Sequence, residues 1–312
     1  MKKQRKKIFF TSGLLIMSLT ALYFYAPYFV VEIKNPLIIS AKNFIAHKNI
    51  VQQPPEKYYK DEIFSFDTND HLKISGIIHY TNFPCKGNII LLHGIRSSKE
   101  SFLPVLNFIA KNGFNSVAID LRAHGTSEGE YCTYGFKEKD DISKLIDYLS
   151  NEKKFKNFGI WGHSLGGAIA IQSLATDKRL QFGIIESTYA DFKQISKDYG
   201  EYYLGINPDF INENILERSA EIAGFDLSEI NPVDYCKNVS QPVLFMHGTK
   251  DKKIKLDYNL KNFEKVSSLN KKFIPVKNAG HNDLWQIGGK ELLNKISKFL
   301  QDINHIDVAT AK

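Results

Sequence analysis

The chain has 312 residues, of which 43% are hydrophobic and 24% are charged. This composition excludes disorder as the main state, because so much apolar and aromatic surface can offset the entropy cost of folding. The 41 basic and 34 acidic residues give a net charge of +7, but five of the cations precede residue 8 and no acidic residue precedes Glu32. The rest of the chain therefore carries only +2, which argues against a nucleic-acid partner.

The N-terminal segment has the pattern of a membrane anchor. Residues 8–31 contain no charged side chain, and their apolar residues fall on every side of a helix. As a helix this run would be about 36 Å long, against about 30 Å for a bilayer core. Three tyrosines at its far end, Tyr23, Tyr25 and Tyr28, suit a membrane interface. We predict a cytosolic basic start and a transmembrane helix within residues 1–31.

The basic start also predicts the orientation of this single span. Positive charge holds the N-terminus in the cytosol, so the remaining chain would lie in the periplasm, outside the cell or in a lumen. A cleaved signal peptide is the alternative, and cleavage would make the protein secreted. The apolar run is longer than the roughly 7–15 residues of a signal sequence. Phe24 also stands before Pro27 where a cleavage site would need a small residue.

From residue 61 the hydrophobic pattern alternates between strands and helices. Two hairpin-like strands at about 63–66 and 72–80 are joined by a polar turn. Nearly all-apolar runs, typical of buried parallel strands, follow at 88–92, 117–119, 158–161, 182–185, 243–246 and 273–276. Helical spacing occurs at about 102–109, 142–149, 165–174 and 293–300. This order predicts an α/β fold with a mostly parallel, doubly wound sheet, whose site lies at the carboxyl ends of the strands.

The alternation also marks segment boundaries. We predict a spacer over 32–60, one domain over 61–302 and a loose tail over 303–312. Within the domain the alternation lapses at 187–232, where we expect a small inserted cap made of short pieces. Aromatic residues of the cap include Tyr189, Tyr199, Tyr202, Tyr203, Phe210 and Phe225. They suit a hydrophobic acyl or aryl group, although most of them would pack the cap onto the body.

A serine stands at the junction of a buried strand and a helix. The sequence from Gly162 to Gly166 is G-x-S-x-G, in the strand-turn-helix context that gives this motif its meaning. The two glycines leave room for a tight turn, from which the Ser164 hydroxyl would project above the sheet. The helix behind it aims its positive N-terminal end at the same place. Ser164 is therefore the predicted nucleophile.

A serine nucleophile needs a base and an acid that orients the base. Asp251 and His281 each lie on the loop after a buried strand, which places them at the same sheet edge as Ser164. We predict His281 as general base and then general acid, with Asp251 holding its tautomer. Two backbone N–H groups should form the oxyanion hole: Leu165 after the nucleophile, and Ile95, with Arg96 as the second choice for this donor.

Other histidines and acids are weaker candidates for the triad. His163 precedes the serine and should point away from it, in a packing or hydrogen-bonding role. His247 ends a strand before a glycine and is expected to be buried with its hydrogen bonds satisfied. Asp257 begins a helical stripe and should be a surface residue, whereas Asp283 remains a rival acid two residues after His281.

The five motifs around these residues, in this order, resemble the α/β-hydrolase fold over about residues 60–302. The resemblance is greatest to membrane-anchored abhydrolase-domain proteins and monoacylglycerol-lipase-like serine hydrolases. It implies hydrolysis of an ester, thioester or amide through an acyl-enzyme, with a lipid-like or acylated small molecule as substrate. It also implies a structural loop at 120–127. The residues expected to brace the site are His93, Asp120, Arg122, His124 and His163.

Three other functions remain open at this point: a peptidase, a perhydrolase or haloperoxidase, and a non-catalytic binding protein on the same fold. No cofactor or metal is expected, because no His, Asp or Glu cluster has ligand spacing. The three cysteines, Cys85, Cys132 and Cys236, are scattered and do not form a disulfide framework or a zinc motif. A single bridge between two of them and the oligomeric state cannot be read from the sequence.

Overall fold

The structure, a computed structural model, describes residues 20, 23–34, 61–205 and 208–310. An eight-stranded sheet lies at its centre, in the order β1-β2-β4-β3-β5-β6-β7-β8. The strands are β1 (Asp61–Asp67), β2 (Lys73–His79), β3 (Gly87–Leu92), β4 (Phe114–Ile119), β5 (Phe158–His163), β6 (Leu180–Glu186), β7 (Val243–Gly248) and β8 (Lys271–Val276). Each predicted strand is present, and the prediction of a mostly parallel sheet is confirmed.

Strand β2 runs antiparallel to both of its neighbours, whereas the rest of the sheet is parallel. β1 pairs with β2, and β2 with β4, in antiparallel register. The neighbours from β4 through β3 to β8 are all parallel. Every residue of β3 and β4 is buried, as expected for strands covered by helices on both faces.

Helices cover both faces of the sheet. After residue 60 they are α1 (Leu103–Lys111), α2 (Glu138–Asn151), α3 (Leu165–Thr176), α4 (Phe192–Leu204), α5 (Asp209–Ala223), α6 (Pro232–Tyr235), α7 (Leu256–Lys265) and α8 (Leu284–Thr310). Helices α1 and α8 share one hydrophobic cluster with the sheet, and α2 and α3 share the other. The three cysteines are free thiols.

The cap contains two helices of substantial length, α4 and α5, rather than the short pieces expected. Asp191 begins α4 by accepting a hydrogen bond from the Gln194 N–H, and Gly205 ends it in the left-handed region with φ of 80°. The cap aromatics divide into two groups. Tyr189 and Phe225 are buried against the body, whereas others, Tyr202, Tyr203 and Phe210, are at least half exposed.

The N-terminal boundary of the body differs from the expected one. Residues 23–31 are helical, and Val31 and Ile33 are buried in the same core cluster as the sheet. Residues 27–31 of the expected span, and the start of the expected spacer, therefore pack on the body. The reason is that an apolar side chain can be buried by a protein core as well as by lipid, and the sequence pattern does not distinguish the two.

Most of the expected span, residues 8–19 and 21–22, lies outside the described residues, as does the spacer from residue 35 to 60. In the part of the chain that the structure describes, none of the helices combines the length and the apolar character needed to cross a bilayer.

The end of the chain is also more regular than expected. Helix α8 continues to Thr310, with non-helical backbone at Gly289, where a loose tail was expected after residue 302. Its buried stripe runs through Leu292, Ile296, Phe299 and Ile303. Since Ile303 still contacts the core, the packing that holds the helix extends beyond the predicted boundary.

Candidate active site

Ser164 occupies a strained turn between β5 and α3. Its backbone has φ of 56° and ψ of −117°, a region that costs a non-glycine residue about 1–3 kcal/mol. The flanking glycines make this turn feasible, because a Cβ on Gly162 would lie 2.0 Å from the Gly166 carbonyl oxygen. The turn is held by the Ser164 N–H, which donates to the Glu186 carbonyl at 2.8 Å, and by the Thr188 hydroxyl, which donates to the Ser164 carbonyl at 2.7 Å.

The structure brings the three predicted triad residues into one line. Ser164 Oγ lies 3.1 Å from His281 Nε2, and His281 Nδ1 lies 2.7 Å from Asp251 Oδ2. His281 follows β8 and Asp251 follows β7, so each side chain reaches the nucleophile from the carboxyl end of a parallel strand. This geometry suits removal of the serine proton by an imidazole whose tautomer is fixed by a carboxylate.

Asp251 is buried and surrounded by donors. Its Oδ1 accepts the N–H groups of Lys253 and Ile254, each at 2.9 Å, and His247 Nε2 lies 3.4 Å from its Oδ2. Burial raises the pKa of Asp251, but the hydrogen bonds from His247 and His281 outweigh burial and hold that pKa well below its ordinary value. The carboxylate is therefore charged when His281 needs an acceptor.

The pKa of His281 is lowered, because burial disfavours its charged form more than Asp251 favours it. His163 contributes in the same direction, since its ring lies 5.0 Å from the His281 ring. His163 therefore packs on the candidate base, with its Nδ1 3.2 Å from Glu186 Oε1. A packing role for His163 was expected from the sequence, whereas its two partners, His281 and Glu186, were not.

The loop after β3 lies against the nucleophile. A Cβ on Gly94 would be 3.2 Å from Ser164 Cβ, so the next residue, Ile95, begins directly beside the serine. Leu165 is the first residue of α3, where helix N–H groups have no acceptor within the helix. The two expected oxyanion donors thus belong to segments that meet at Ser164, and their role remains a prediction.

The 120–127 loop is held by buried charges. Asp120 accepts both the backbone N–H of Lys99, at 2.8 Å, and its ammonium group, at 2.6 Å. Arg122 makes two hydrogen bonds to Asp141 and two to Asp70. These contacts are of the bracing kind expected for Asp120 and Arg122, and Lys99 is a partner that no sequence motif indicated.

Two histidines join this loop to the site. The His93 ring accepts the Leu121 N–H at 3.1 Å through Nε2, and its Nδ1 is 2.8 Å from the Gly94 carbonyl. The rings of His93 and His124 lie 4.9 Å apart. Burial lowers the pKa of His93 to about 4 and that of His124 to about 3, so both are neutral at neutral pH.

The rival acids do not reach the imidazole. Asp283 Oδ1 accepts the Gly280 N–H at 2.5 Å and so faces the turn before His281. Asp257 lies in the first turn of α7. Glu186, at the end of β6, was missed by sequence analysis. Trp161 Nε1 and His163 both lie beside its carboxylate. The signal available in the sequence was its position at the carboxyl end of a buried strand.

Comparison with known proteins agrees with this architecture. A family model for the alpha/beta hydrolase fold matches residues 87–203. The esterase Pf2001 of Pyrococcus furiosus superposes with a TM-score of 0.66, at 25% identity, over 81% of this chain and 95% of that chain. The chain therefore has the alpha/beta hydrolase fold.

Curated relatives of this chain include two proteins of Bacillus subtilis. The AB hydrolase superfamily protein YisY is 26% identical over 67% of this chain and 89% of its own length. The uncharacterised protein YqkD is 25% identical over 72% of this chain and 75% of its own length. The alignment thus extends beyond the residues matched by the family model and includes most of each relative.

Proposed function

We propose that this protein is a membrane-anchored serine esterase that cleaves a carboxylic ester of a lipid-like or acylated small molecule. The observation that carries the proposal is the line from Ser164 Oγ through the His281 ring to Asp251, with distances of 3.1 and 2.7 Å. Likeness to an esterase over 81% of the chain supports ester rather than other acyl substrates.

The reaction proceeds in two steps. His281 Nε2 takes the proton of Ser164 Oγ as the oxygen attacks the carbonyl carbon, and the N–H groups of Leu165 and Ile95 stabilise the oxyanion. The imidazolium then donates its proton to the leaving alcohol, which departs and leaves an acyl-serine. Water, deprotonated by His281, hydrolyses this ester and returns the enzyme to its starting state.

The cap supports a hydrophobic acyl group. Tyr199 of α4 is partly buried on the hydrolase core, and its ring lies 6.1 Å from that of the half-exposed Tyr203. Aromatic side chains of the cap offer apolar contact to such a group.

We propose that the membrane anchor lies within residues 8–31, with its far end against the body: residues 27–31 pack there, and the Tyr23 hydroxyl lies 3.3 Å from the Arg218 guanidinium group. The basic start would hold the N-terminus in the cytosol, and the catalytic domain would face the periplasm, the exterior or a lumen.

The test is covalent labelling of the full-length protein. A fluorophosphonate should label the wild type, and Ser164→Ala should abolish both labelling and p-nitrophenyl ester hydrolysis, with a loss of at least about 10³-fold. Ser143→Ala, which removes a hydroxyl bonded to Asp177 on another part of the surface, is the control and should keep both. Labelling that persists in Ser164→Ala would refute the proposal.

A further inference from the structure

The segment 27–34, which we call the brace, is bound to the body through its main-chain carbonyls and the Lys34 side chain. The Tyr134 hydroxyl donates to the Val30 carbonyl at 2.6 Å, and the Cys132 N–H donates to the Val31 carbonyl at 2.9 Å. The Lys34 ammonium group donates to the Ser127 carbonyl at 2.6 Å. Val31 is fully buried. The brace therefore belongs to the folded domain although it precedes the first strand by some thirty residues.

One contact of the brace reaches the catalytic edge. The guanidinium group of Arg96 donates a hydrogen bond to the Phe29 carbonyl. Arg96 follows Ile95 on the loop after β3, and Gly94 of the same loop contacts Ser164. The Arg96 side chain thus connects the brace to the loop that carries the proposed oxyanion donor.

The backbone at Arg96 gives this connection its significance. The Ser97 N–H donates to the Gly94 carbonyl at 3.2 Å, which closes a four-residue turn with Arg96 at its third position. Arg96 has φ of 56°, as a type II turn requires at that position, where glycine is favoured because it has no Cβ. An arginine in this conformation has a strained backbone, which persists only if surrounding contacts stabilise it. The hydrogen bond from Arg96 to the Phe29 carbonyl is one such contact.

We infer that the brace is part of the active site: through the Phe29 carbonyl it holds Arg96, and Arg96 holds the turn that orients the N–H groups beside Ser164. Arg96 is a positioning residue, since it acts through the backbone of Ile95 and its own amide. This inference rests on the proposed function. It makes the juxtamembrane segment a requirement for turnover as well as a tether.

Arg96→Gly distinguishes the contribution of the Arg96 side chain from that of its backbone conformation. Glycine adopts the same φ without strain, so this variant keeps the turn accessible and removes the side chain that donates to Phe29. With full-length protein in detergent and p-nitrophenyl acetate, we expect kcat and the fluorophosphonate labelling rate to fall about tenfold, with KM within about twofold, because oxyanion stabilisation acts in the transition state. Arg96→Lys, which can still donate to Phe29, should recover part of the loss.

The matched control is Lys154→Gly. Lys154 is an exposed residue with φ of 59°, so glycine there makes the same backbone change away from the catalytic edge. We expect unchanged kcat. If Arg96→Gly keeps kcat within twofold of the wild type while Ser164→Ala abolishes turnover, the inference is wrong and the proposed function stands. If Ser164→Ala keeps its activity, the proposed function itself fails.

A second pair of variants tests the brace directly. Tyr134→Phe removes the hydroxyl that donates to Val30, and Tyr80→Phe removes a hydroxyl that donates to Glu62 at the far side of β2. We expect Tyr134→Phe to speed proteolytic cleavage within residues 23–34 and to slow fluorophosphonate labelling in parallel, and Tyr80→Phe to do neither. Faster cleavage of the brace with an unchanged labelling rate would overturn the inference.

Discussion

At the level of single residues, the proposed chemistry depends on the protonation of one imidazole. His281 is buried between Ser164 and Asp251, with the His163 ring against it. Burial and the neighbouring ring favour the neutral form, and Asp251 favours the charged form. The balance lies with the neutral form, which is the one that can accept a proton from serine.

The pH dependence of hydrolysis should report this balance. Protonated His281 cannot act as a base, so kcat/KM should fall as the pH drops through the pKa of His281 in the free enzyme. Because burial lowers that pKa, the midpoint of the acid limb should lie below 6.5, the ordinary value for histidine. The measurement is kcat/KM for a p-nitrophenyl ester across the acid and neutral range.

His163→Gln provides the comparison for this profile. Removing the ring that lowers the His281 pKa should move the acid limb to higher pH, while Asp251 still orients the imidazole. A wild-type midpoint at or above 6.5, or a limb that moves to lower pH in His163→Gln, would contradict the assignment of the base.

At the level of elements, the turn between β5 and α3, which we call the elbow, depends on the close approach of the α3 backbone to the end of β3. A Cβ on Gly166 would lie 1.9 Å from the carbonyl oxygen of Leu92, at the end of β3. No rotamer change can relieve such a contact, because the obstructing atom is a main-chain oxygen. The strand that carries it is fully buried and cannot move aside. Ser164 can therefore stand above the sheet only while Gly166, the second residue of α3, has no side chain.

Gly166→Ala should accordingly destabilise the fold and displace Ser164. Alanine favours a helix over glycine by about 1 kcal/mol, yet overpacking of a core costs about 1–3 kcal/mol or more, so the net change should be a loss. Urea unfolding and p-nitrophenyl ester turnover measure the two effects.

Gly183→Ala is the control for this substitution. Its Cβ would meet the end of the Leu174 side chain, with the next atom at 3.6 Å, so the neighbour can move. We expect a smaller loss of stability and retained turnover. Equal stability of Gly166→Ala and the wild type would show that the close approach does not constrain the elbow.

At the level of the whole molecule, the parallel strands bring the site residues together, and the N-terminal segment carries the proposed anchor. Ser164, Asp251 and His281 are far apart in sequence and meet because β5, β7 and β8 end at one edge. The brace lies at the same edge, so the proposed anchor emerges beside the site. A lipid-like substrate would then have a short path from the membrane to Ser164.

The proposed topology can be tested in spheroplasts of a bacterial host. Protease added outside should digest the catalytic domain and leave an N-terminal tag intact, because the basic start holds that end in the cytosol. In the control, glutamines replace the five N-terminal cations, Lys2, Lys3, Arg5, Lys6 and Lys7, and protection of the tag should weaken. A catalytic domain that resists protease until the membrane is broken would mean that the orientation is reversed.

Much of the fold could be predicted from sequence because its signals are local. A parallel strand covered on both faces is a short continuous apolar run, as in β3 and β4, and a helix that follows it has its own spacing. The elbow is equally local, since Gly162, Ser164 and Gly166 lie within five residues. Asp251 and His281 could be chosen because sheet topology places strand ends together.

The tertiary structure alone decided which of the remaining candidates meet. The contact of His163 with His281 joins residues more than a hundred positions apart, and no local sequence pattern predicts it. The docking of residues 27–34 is the same kind of feature, because an uncharged apolar segment can bury itself in lipid or in protein at similar gain. Only the position of a complementary surface, here around Arg96 and Tyr134, decides between them.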